Sequence, residues 1–393
     1  MVKVRTIIIL ICSFVVFALS LKVGYWLSLK KPLWNDEIYT QVQSIDSKSY
    51  LDIIQVKFTE GNSSPLFYLM QKGISDVFNF SFPVFWEGYE WEIANPRAQV
   101  IMRLSSILFM AFAITLIFYF FTQHYSFLVG IFAALMMLST ETIWIYWAEC
   151  RPYSLWICQT VIQILLLHSI LKGTKSKKKY WIGLFILHVV MAFTLILSIA
   201  QILAAGVVLY FYGNRATLKR VVLIILPVLI CLGYYLFSPT KIYHYWLIEP
   251  AQLIFLSFSQ ERVTVMFAYI VFLLVVGYLN RTGVLNWKKE GFTKINTAFL
   301  VYSAMMLVAG LGLLLIFKLR SDVAQQTIFA SNRYFVFLGP VGAVMMTLIF
   351  NDLLQKFKGN LWMCVNWHII FWSLAIFKIL KTYHTVITAG VYS

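Results

Sequence analysis

Two adjacent carboxylic acids, Asp36 and Glu37, directly follow the first long apolar run of the chain, within the stretch WNDEIYT. A carboxylate can take a proton from a hydroxyl group, which makes each acid a candidate general base. Neighbouring side chains point in different directions in a helix or a strand, so only one of the two is expected to enter a site directly. An acidic pair of this kind is also typical of a solvated loop.

Two further stretches place an arginine just before an apolar segment. They are WAECRPYSLW, with Glu149, Arg151 and Tyr153, and SNRYFVFLGP, with Arg333 and Tyr334. Proline suits the first helical position, and serine and asparagine cap helix starts, so both arginines are predicted at helix N-termini. The positive end of a helix attracts anions, and a guanidinium adds a planar fork of donors suited to phosphate.

Acids on one side and arginines on the other form a minimal set for group transfer from a phosphate-linked donor to a hydroxyl. The acid removes the proton of the attacking hydroxyl, and the arginines stabilise the charge that builds on the departing phosphate. The predicted catalytic residues are Asp36, Glu37 and Glu149. The predicted donor-phosphate-binding residues are Arg151, Tyr153, Arg333 and Tyr334.

The simpler interpretation of arginine at a membrane surface is an anchor whose stem lies along apolar surface while its charge reaches water. Glu149 and Arg151 could form only an interfacial ion pair. Arg103, close to the start of an apolar run, is predicted to be such an anchor rather than a ligand.

These residues lie in an overwhelmingly apolar chain. Hydrophobic residues make up 61% of the 393 positions and charged residues 12%, whereas soluble domains contain about 25% charged residues. Apolar stretches of about 20 residues recur from end to end, which predicts an all-α, polytopic membrane protein of about eleven transmembrane helices. The predicted spans are residues 7–29, 100–121, 126–147, 152–171, 180–198, 200–212, 220–238, 263–279, 297–317, 334–350 and 361–380.

The net charge of +16 is unevenly distributed along the chain. With the N-terminus inside, the inner segments hold half of the 32 basic residues but only two of the 16 acids. Short basic loops stay in the cytoplasm, so this pattern predicts a cytoplasmic N-terminus and an extracytoplasmic site. The positive charge then faces anionic membrane lipid, and no nucleic-acid partner is predicted.

Only one outer loop is long, residues 30–99. Its stretch YLDIIQVKF spaces Leu51, Ile54 and Phe58 as one helical face, which predicts an interfacial helix. The stretch SSPLFYLMQKGI is predicted to start another helix, with a capping serine and proline in the first turn. Residues 1–393 are predicted to form a single membrane domain without a soluble C-terminal domain.

Metal and disulfide chemistry have little support in the sequence. The spacing of the five cysteines matches neither a disulfide framework nor a metal knuckle, and no pair of histidines has H-x-x-x-H spacing. No metal ligand is therefore predicted. Glu149 and Asp36 could share a divalent cation, but nothing in their spacing demands one.

Five segments in order resemble the glycosyltransferase-C superfamily, in particular the branch of protein O-mannosyltransferases and the lipid A aminoarabinose transferase. They are the acidic pair, SSPLFYL, NPRAQVIMRLSSIL, AECRPYSLW and SNRYFVFLGP, spanning residues 34 to about 340. The resemblance implies that Asp36 stands at the position of the catalytic acid and Glu37 at that of the second acid. It places Glu149 with Arg151 in a second motif and Arg333 with Tyr334 in a late motif facing the donor.

Two departures from the family pattern concern the donor site. The stretch Asn62-Ser63-Ser64-Pro65-Leu66 lacks the lysine or histidine that relatives carry before this proline, and Lys57 is the candidate substitute. Ser105 stands where a proline is usual. The missing basic residue places one phosphate contact of the family in doubt.

The resemblance implies a sugar transferase that uses a polyprenyl-phosphate-linked sugar. The expected acceptor is a cell-envelope glycan, lipid or protein, and the expected location is a bacterial cytoplasmic membrane. Alternatives are a transporter or flippase for lipid-linked sugars, and a surface-polysaccharide polymerase or ligase. Transporters place ionisable groups near the middle of the membrane, whereas charges here crowd the outer surface, which favours the enzyme.

Overall fold

The computed structural model describes residues 2–57, 65–82, 96–173, 177–213, 218–237, 295, 297–306, 308–309, 336–356, 359 and 361–388. Within these residues the chain is helical and contains no β-strand, as predicted for an all-α protein. The predicted span 263–279 and the predicted site residues Arg333 and Tyr334 lie outside the described residues.

The described helices run in chain order from the N-terminus to residue 388. The N-terminal part contains α1 Val2–Lys30, α2 Asn35–Tyr39, a π-helix Thr40–Asp46, α3 Tyr50–Ile54, α4 Leu66–Val77, α5 Pro96–His124, α6 Phe127–Leu138, α7 Glu141–Trp147 and α8 Tyr153–Lys172. The remainder contains α9 Lys177–Ala192, α10 Ser198–Tyr212, α11 Leu218–Ile225, α12 Val228–Phe237, α13 Thr297–Met306, α14 Leu338–Lys356 and α15 Leu361–Thr388.

Four described helices are long and apolar enough to cross a membrane: Val4–Lys30, Pro96–His124, Tyr153–Lys172 and Cys364–His384. Helices α6 and α7 together form a fifth candidate, bent by 73°. The described residues therefore show a polytopic membrane protein but do not confirm the predicted count of eleven spans.

The bend between α6 and α7 replaces the continuous span predicted over residues 126–147. The Ser139 hydroxyl donates a hydrogen bond to the carbonyl oxygen of Met136 at 2.8 Å, and Thr140 has extended backbone angles. Serine and threonine hydroxyls compete with the backbone for such carbonyls, which favours the end of a helix at this point. The bend directs α7 toward the end of the bundle where the acidic pair lies.

Helix α5 packs against α1, α6 and α8 and forms the centre of the described bundle. Gly24 lets α1 approach closely, because a Cβ atom there would lie 2.7 Å from a methyl carbon of Ile107 and 2.8 Å from the indole nitrogen of Trp147. Small residues of this kind let membrane helices come into contact along their backbones. Gly24 therefore positions the C-terminal end of α1 against both α5 and α7.

The two ends of α5 contact different parts of the chain. Near its start, Arg103 bonds to the segment that follows α1. Just beyond its end, the hydroxyl of Tyr125 lies 2.6 Å from the Nε2 atom of His168, and the Lys172 ammonium lies 5.1 Å from the Tyr125 ring centre. The first loop and residues 145–154 thus share one end of the bundle, and Lys172 lies at the other.

The first loop folds onto α5 through a small second core of Ile38, Ile45, Ile53, Phe67 and Tyr68, which are all nearly or fully buried. Buried apolar area of this kind fixes the short helices α2 to α4, which are too short to be stable alone. The described parts of the first loop are therefore packed against the bundle rather than extended as a solvated connection.

Helix α3 confirms a helical start for the predicted interfacial segment. Its N-cap, Ser49, accepts a hydrogen bond from the backbone N–H of Asp52 at 3.1 Å. Leu51 and Ile54 of the predicted apolar face are 61% and 46% exposed, whereas Ile53 faces the second core. The two described residues of the predicted face are therefore directed away from the protein, as a membrane-interface helix requires.

Helix α4 begins one residue later than the sequence suggests. Pro65, predicted in the first turn, is the N-cap residue, and the helix starts at Leu66. The backbone N–H of Leu66 donates to the carbonyl oxygen of Phe193 at 2.9 Å, which ties the loop to the connection between α9 and α10. The predicted capping serine lies outside the described residues.

Candidate active site

Arg103 and Glu37 form a completely buried ion pair. The Nε and Nη2 atoms of Arg103 donate to the two carboxylate oxygens of Glu37 at 2.8 and 2.6 Å. The remaining N–H groups of Arg103 donate to the carbonyl oxygens of Ser28, Lys31 and Pro32 at 2.7–2.8 Å. The prediction that Arg103 is a surface anchor is wrong, because its five donors are all used inside the protein.

Glu37 also collects backbone donors from two other segments. The N–H of Cys150 donates to its Oε1 atom at 2.8 Å, and the N–H of Trp34 to its Oε2 atom at 3.1 Å. Burial alone would raise the pKa of Glu37, but the charge and hydrogen bonds of Arg103, with Lys31 and the Cys150 N–H, hold it below its ordinary value. Glu37 is therefore an ionised residue whose hydrogen bonds connect α2 to α5 and to the segment before α8.

Asp36 points elsewhere, as predicted for adjacent acids. Its Oδ2 atom lies 3.5 Å from the Nη2 atom of Arg151, and its side chain is 37% exposed. The Nη1 atom of Arg151 donates to the hydroxyl of Thr40 at 2.7 Å. A partly exposed carboxylate thus lies beside a guanidinium that is held by a second protein contact.

Glu149 lies close to Arg151 in sequence, but its carboxylate lies in a different environment from that of Asp36. The side chain is 2% exposed, and in the described part of the chain neither carboxylate oxygen accepts a hydrogen bond. Burial raises the pKa of Glu149 to about 7, with Glu37 acting in the same direction and Lys31, Arg151 and Arg103 opposing it. The suggested ion pair between Glu149 and Arg151 is not formed among the described residues.

Two serines of α5 hold the neighbouring segments in place. The Ser106 hydroxyl donates to the carbonyl oxygen of Glu149 at 2.5 Å. The Ser105 hydroxyl donates to Oε1 of Gln71 at 3.0 Å, and Gln71 donates in turn to the carbonyl oxygen of Ile101. Ser105 therefore binds α4 to α5.

Lys31 completes the cluster from the end of α1. It is 6% exposed, and its ammonium donates to the carbonyl oxygens of Ile145 and Ala148 at 2.5 and 3.4 Å. Burial lowers the pKa of Lys31 to about 8, although Glu149 and Glu37 act to raise it. Carbonyls at a helix C-terminus carry partial negative charge, so a lysine stabilises the end of α7.

Five of the seven predicted site residues are described, and all five lie at one end of the bundle. Tyr153 is the more enclosed of the two described phosphate ligands that were predicted; it is 4% exposed and its ring centre lies 4.7 Å from that of Tyr146. Helix α8 starts at Tyr153 with Pro152 as N-cap, one residue later than predicted. Lys57, the suggested substitute for the missing basic residue, lies 3.8 Å from Asp52 on an exposed surface.

In the described ranges, no group of three or more histidine, cysteine, aspartate or glutamate residues is placed to hold a metal ion. The site consists of the partly exposed pair of Asp36 and Arg151, the buried pair of Glu37 and Arg103, and the buried side chains of Glu149 and Lys31. Such an arrangement can accept a proton at Asp36 and stabilise negative charge at Arg151.

No protein-family model and no curated protein sequence matches the chain. Solved structures do match it. ArnT from Cupriavidus metallidurans in the apo state is 9% identical, with a TM-score of 0.50 over 96% of this chain and 74% of ArnT. The chain has the ArnT fold.

A second ArnT structure, bound to undecaprenyl phosphate, is 10% identical with a TM-score of 0.49 over 98% of this chain and 75% of ArnT. The archaeal oligosaccharyltransferase AglB from Archaeoglobus fulgidus, in complex with an inhibitory peptide and a dolichol-phosphate, is 12% identical with a TM-score of 0.44 over 96% and 56% of the two chains. ArnT has the glycosyltransferase-C fold, so the resemblance predicted from the sequence is confirmed for the fold.

Sequence reasoning missed Arg103 and Lys31 as members of the site. Arg103 lies within the quoted segment NPRAQVIMRLSSIL, so the motif was found although its arginine was assigned to the surface. Lys31 directly precedes the Pro-Leu-Trp that leads into the acidic pair, and no pattern marked it. The feature that could have identified both residues is a basic side chain in or close to a recognised motif, since Arg103 lies inside one and Lys31 lies five residues before Asp36.

Proposed function

We propose that the chain is an integral-membrane glycosyltransferase that moves a sugar from a polyprenyl-phosphate donor to a cell-envelope acceptor. The observation that carries this proposal is the contact between partly exposed Asp36 and Arg151 at the head of α8. It joins a proton acceptor to a phosphate-binding group on a scaffold with the ArnT fold. ArnT has been crystallised with undecaprenyl phosphate, and we propose a carrier of that class as the donor.

In the proposed reaction, Asp36 accepts the proton of an acceptor hydroxyl as its oxygen attacks the anomeric carbon of the donor sugar. The bond between that carbon and the phosphate oxygen breaks, and its electron pair leaves with the polyprenyl phosphate. Arg151 stabilises the charge that develops on this oxygen, as preorganised donors do in other transfer sites. The Thr40 contact fixes the guanidinium before the donor arrives.

The roles of the other predicted residues follow from their surroundings. Glu37 is buried and saturated with hydrogen bonds, so we assign it a positioning role in place of the predicted catalytic one. We assign Glu149 a role in binding or catalysis, because its buried carboxylate has no hydrogen-bond donor among the described residues. Arg333 and Tyr334 stay predicted donor-phosphate ligands.

We further propose that the membrane domain comprises residues 1–393 and that its site faces the extracytoplasmic side of a bacterial cytoplasmic membrane. Support comes from the basic inner segments and from the location of Lys172 at the opposite end of the bundle from Asp36. Membrane lipid and an envelope acceptor are the proposed partners.

The proposal is tested with purified protein, a synthetic short-chain polyprenyl-phosphate sugar and an envelope extract. We expect release of polyprenyl phosphate together with a labelled acceptor, and mass spectrometry of the envelope with and without the gene should identify that acceptor. Donor that stays intact with every acceptor fraction tested would exclude transferase activity. Growth of a repeating polymer in place of single transfer would indicate the polymerase alternative.

A transporter of lipid-linked sugars is the second candidate, and one observation favours it. The hydroxyl of Tyr302 donates to Oε1 of Gln163 at 2.7 Å, and the Nε2 atoms of Gln163 and His188 lie 2.9 Å apart, within the bundle. Polar groups inside membrane bundles often mark transport pathways. The four ion pairs of the described residues lie instead at the end that holds Asp36. Movement of an intact lipid-linked sugar across a liposome bilayer would support the transporter.

A further inference from the structure

Lys31 links the end of α1 to the segment that carries Glu149. Its ammonium donates to the carbonyl oxygens of Ile145 and Ala148, and Ala148 directly precedes Glu149 in the chain. On the other side of the same segment, Ser106 holds the carbonyl oxygen of Glu149 itself. The backbone at Glu149 is therefore clamped from two helices.

The charges around the Glu149 carboxylate come from four elements. Lys31 follows α1, Glu37 belongs to α2, Arg103 to α5, and Arg151 precedes α8. The two arginines have carboxylate partners of their own, Glu37 for Arg103 and Asp36 for Arg151. Among the cations, Lys31 stabilises the ionised form of Glu149 most strongly.

We propose that Lys31 is a positioning residue that fixes the Glu149 segment and increases the ionised fraction of the Glu149 carboxylate inside the site. This inference rests on the proposed function only for the use made of the carboxylate in sugar transfer. The effect of one buried charge on the other is a property of the folded protein and can be measured without any substrate.

The direction of the effect follows from electrostatics. Burial disfavours an ionised carboxylate, and a nearby cation favours it. With Lys31 present, the pKa of Glu149 lies at about 7, so the carboxyl is close to half ionised at neutral pH. Removing the ammonium takes away the largest opposing influence, so the pKa of Glu149 must rise and the group becomes mostly protonated at neutral pH.

The test is a pH titration of the full-length protein, in lipid nanodiscs, by infrared difference spectroscopy of protonated carboxyl groups. The Glu149→Gln variant identifies the band that belongs to Glu149. We expect a midpoint of about 7 in the unaltered protein. In Lys31→Met the midpoint should rise by about one pH unit or more, the size of effect that a neighbouring charge exerts at close range.

Three further variants separate charge from packing. Lys31→Gln is neutral but can still donate to the Ile145 carbonyl, so it should shift the midpoint upward even where Lys31→Met does not fold. Lys31→Arg keeps the charge and should titrate close to the unaltered protein. Lys30→Met removes the same charge from the exposed neighbouring position and should change nothing.

An unchanged midpoint in folded Lys31→Gln would overturn the inference, as would an equal shift in Lys30→Met. The same variants are then assayed for transfer across a range of pH, where the acid limb should move upward with the Glu149 midpoint. If the unaltered protein transfers no sugar, the proposed function is wrong. The infrared shift would still support the inference about Lys31, because it is measured without substrate. A shift without any change in the acid limb would show that transfer does not need ionised Glu149.

Discussion

Arg103 donates to both carboxylate oxygens of Glu37 from a position where neither side chain is more than 1% exposed. The same guanidinium binds three carbonyl oxygens in the segment between α1 and α2. Asp36 belongs to the short helix that this pair ties down. The position of Asp36, the proposed base, therefore depends on the ion pair between Arg103 and Glu37, in which Asp36 takes no part.

The first prediction concerns the stability contributed by that pair. Glu37→Gln leaves the Arg103 charge buried without its counter-charge, and breaking a buried pair on one side costs about 3–5 kcal/mol. We expect a marked fall in the unfolding temperature of the detergent-solubilised protein. The matched control is Lys22→Met, which removes an exposed charge from α1 and should have little effect. Similar melting of both variants would contradict a structural role for Glu37.

The second prediction separates Asp36 from Glu37. Asp36→Asn keeps the size of the side chain but cannot accept a proton, so it should abolish transfer. Its partly exposed position means that the unfolding temperature should barely change. Steady-state transfer and thermal unfolding are measured on the same preparations. Near-normal turnover by Asp36→Asn would remove this residue from the mechanism.

The sequence predicted the local part of this arrangement well. Divergence of Asp36 and Glu37 follows from backbone geometry alone, and Pro152 predicts the start of α8 to within one residue. Both are properties of neighbouring residues. The apolar composition likewise predicted a helical membrane bundle because lipid leaves the backbone few alternatives.

The partner of Glu37 could not be predicted in the same way. Arg103 and Glu37 are 66 residues apart, and they meet only because α1 packs along α5. Burial of Arg103 is a consequence of that packing, and nothing in the neighbouring residues distinguishes a buried arginine from an interfacial anchor. The bend between Ser139 and Thr140 was missed for a related reason, since an apolar run does not reveal whether its helix is continuous.

The third prediction concerns pH and stability. The pKa of Glu149 is raised from 4.5 to about 7, mainly by burial. A group of this kind contributes stability that is fully present below its unfolded pKa and is lost as pH rises through about 7. The shift corresponds to about 3 kcal/mol. The free energy of unfolding of the unaltered protein should therefore fall between pH 4.5 and 7, and this fall should be absent in Glu149→Gln.

The measurement is the unfolding temperature of both proteins across that range. Glu37 contributes in the opposite direction, because its lowered pKa adds stability that is lost on acidification. That contribution is common to both proteins and cancels in their difference. Lys31, with a pKa of about 8, stays mostly protonated in the unaltered protein, whereas loss of the Glu149 charge lowers this pKa, so the lower part of the pH window gives the cleaner comparison. Parallel curves would show that Glu149 titrates normally.

The fourth prediction concerns orientation. Loops 172–180 and 281–294 are expected in the cytoplasm and loop 30–99 outside, because basic segments are retained inside. A single cysteine at position 176, in a variant without the five native cysteines, should resist a membrane-impermeant reagent in intact cells. A cysteine at position 47, which is exposed in the first loop, serves as the labelled control. Labelling at position 176 would invert the topology and the proposed site.

The last prediction separates phosphate ligand from membrane anchor at Arg151 and Arg333. A snorkelling anchor needs only a long stem and a charged head, so lysine should replace it fully. A guanidinium that binds phosphate uses a planar fork, which lysine lacks. We expect Arg151→Lys and Arg333→Lys each to weaken donor binding or turnover roughly tenfold or more, equivalent to about 1.4 kcal/mol. Expression and unfolding temperature should be nearly unchanged.

The two arginines should also depend on each other. If both bind one phosphate, the second replacement acts on a donor that is already misplaced, so the losses in the double variant should not add. Steady-state kinetics of all four proteins with a synthetic short-chain donor give the coupling directly. Strictly additive losses would place the arginines on separate groups. Unaltered kinetics in both single variants would identify Arg151 and Arg333 as membrane anchors. An anchor needs only a long side chain with a positive charge, which lysine also provides, whereas a bidentate phosphate ligand needs the planar guanidinium.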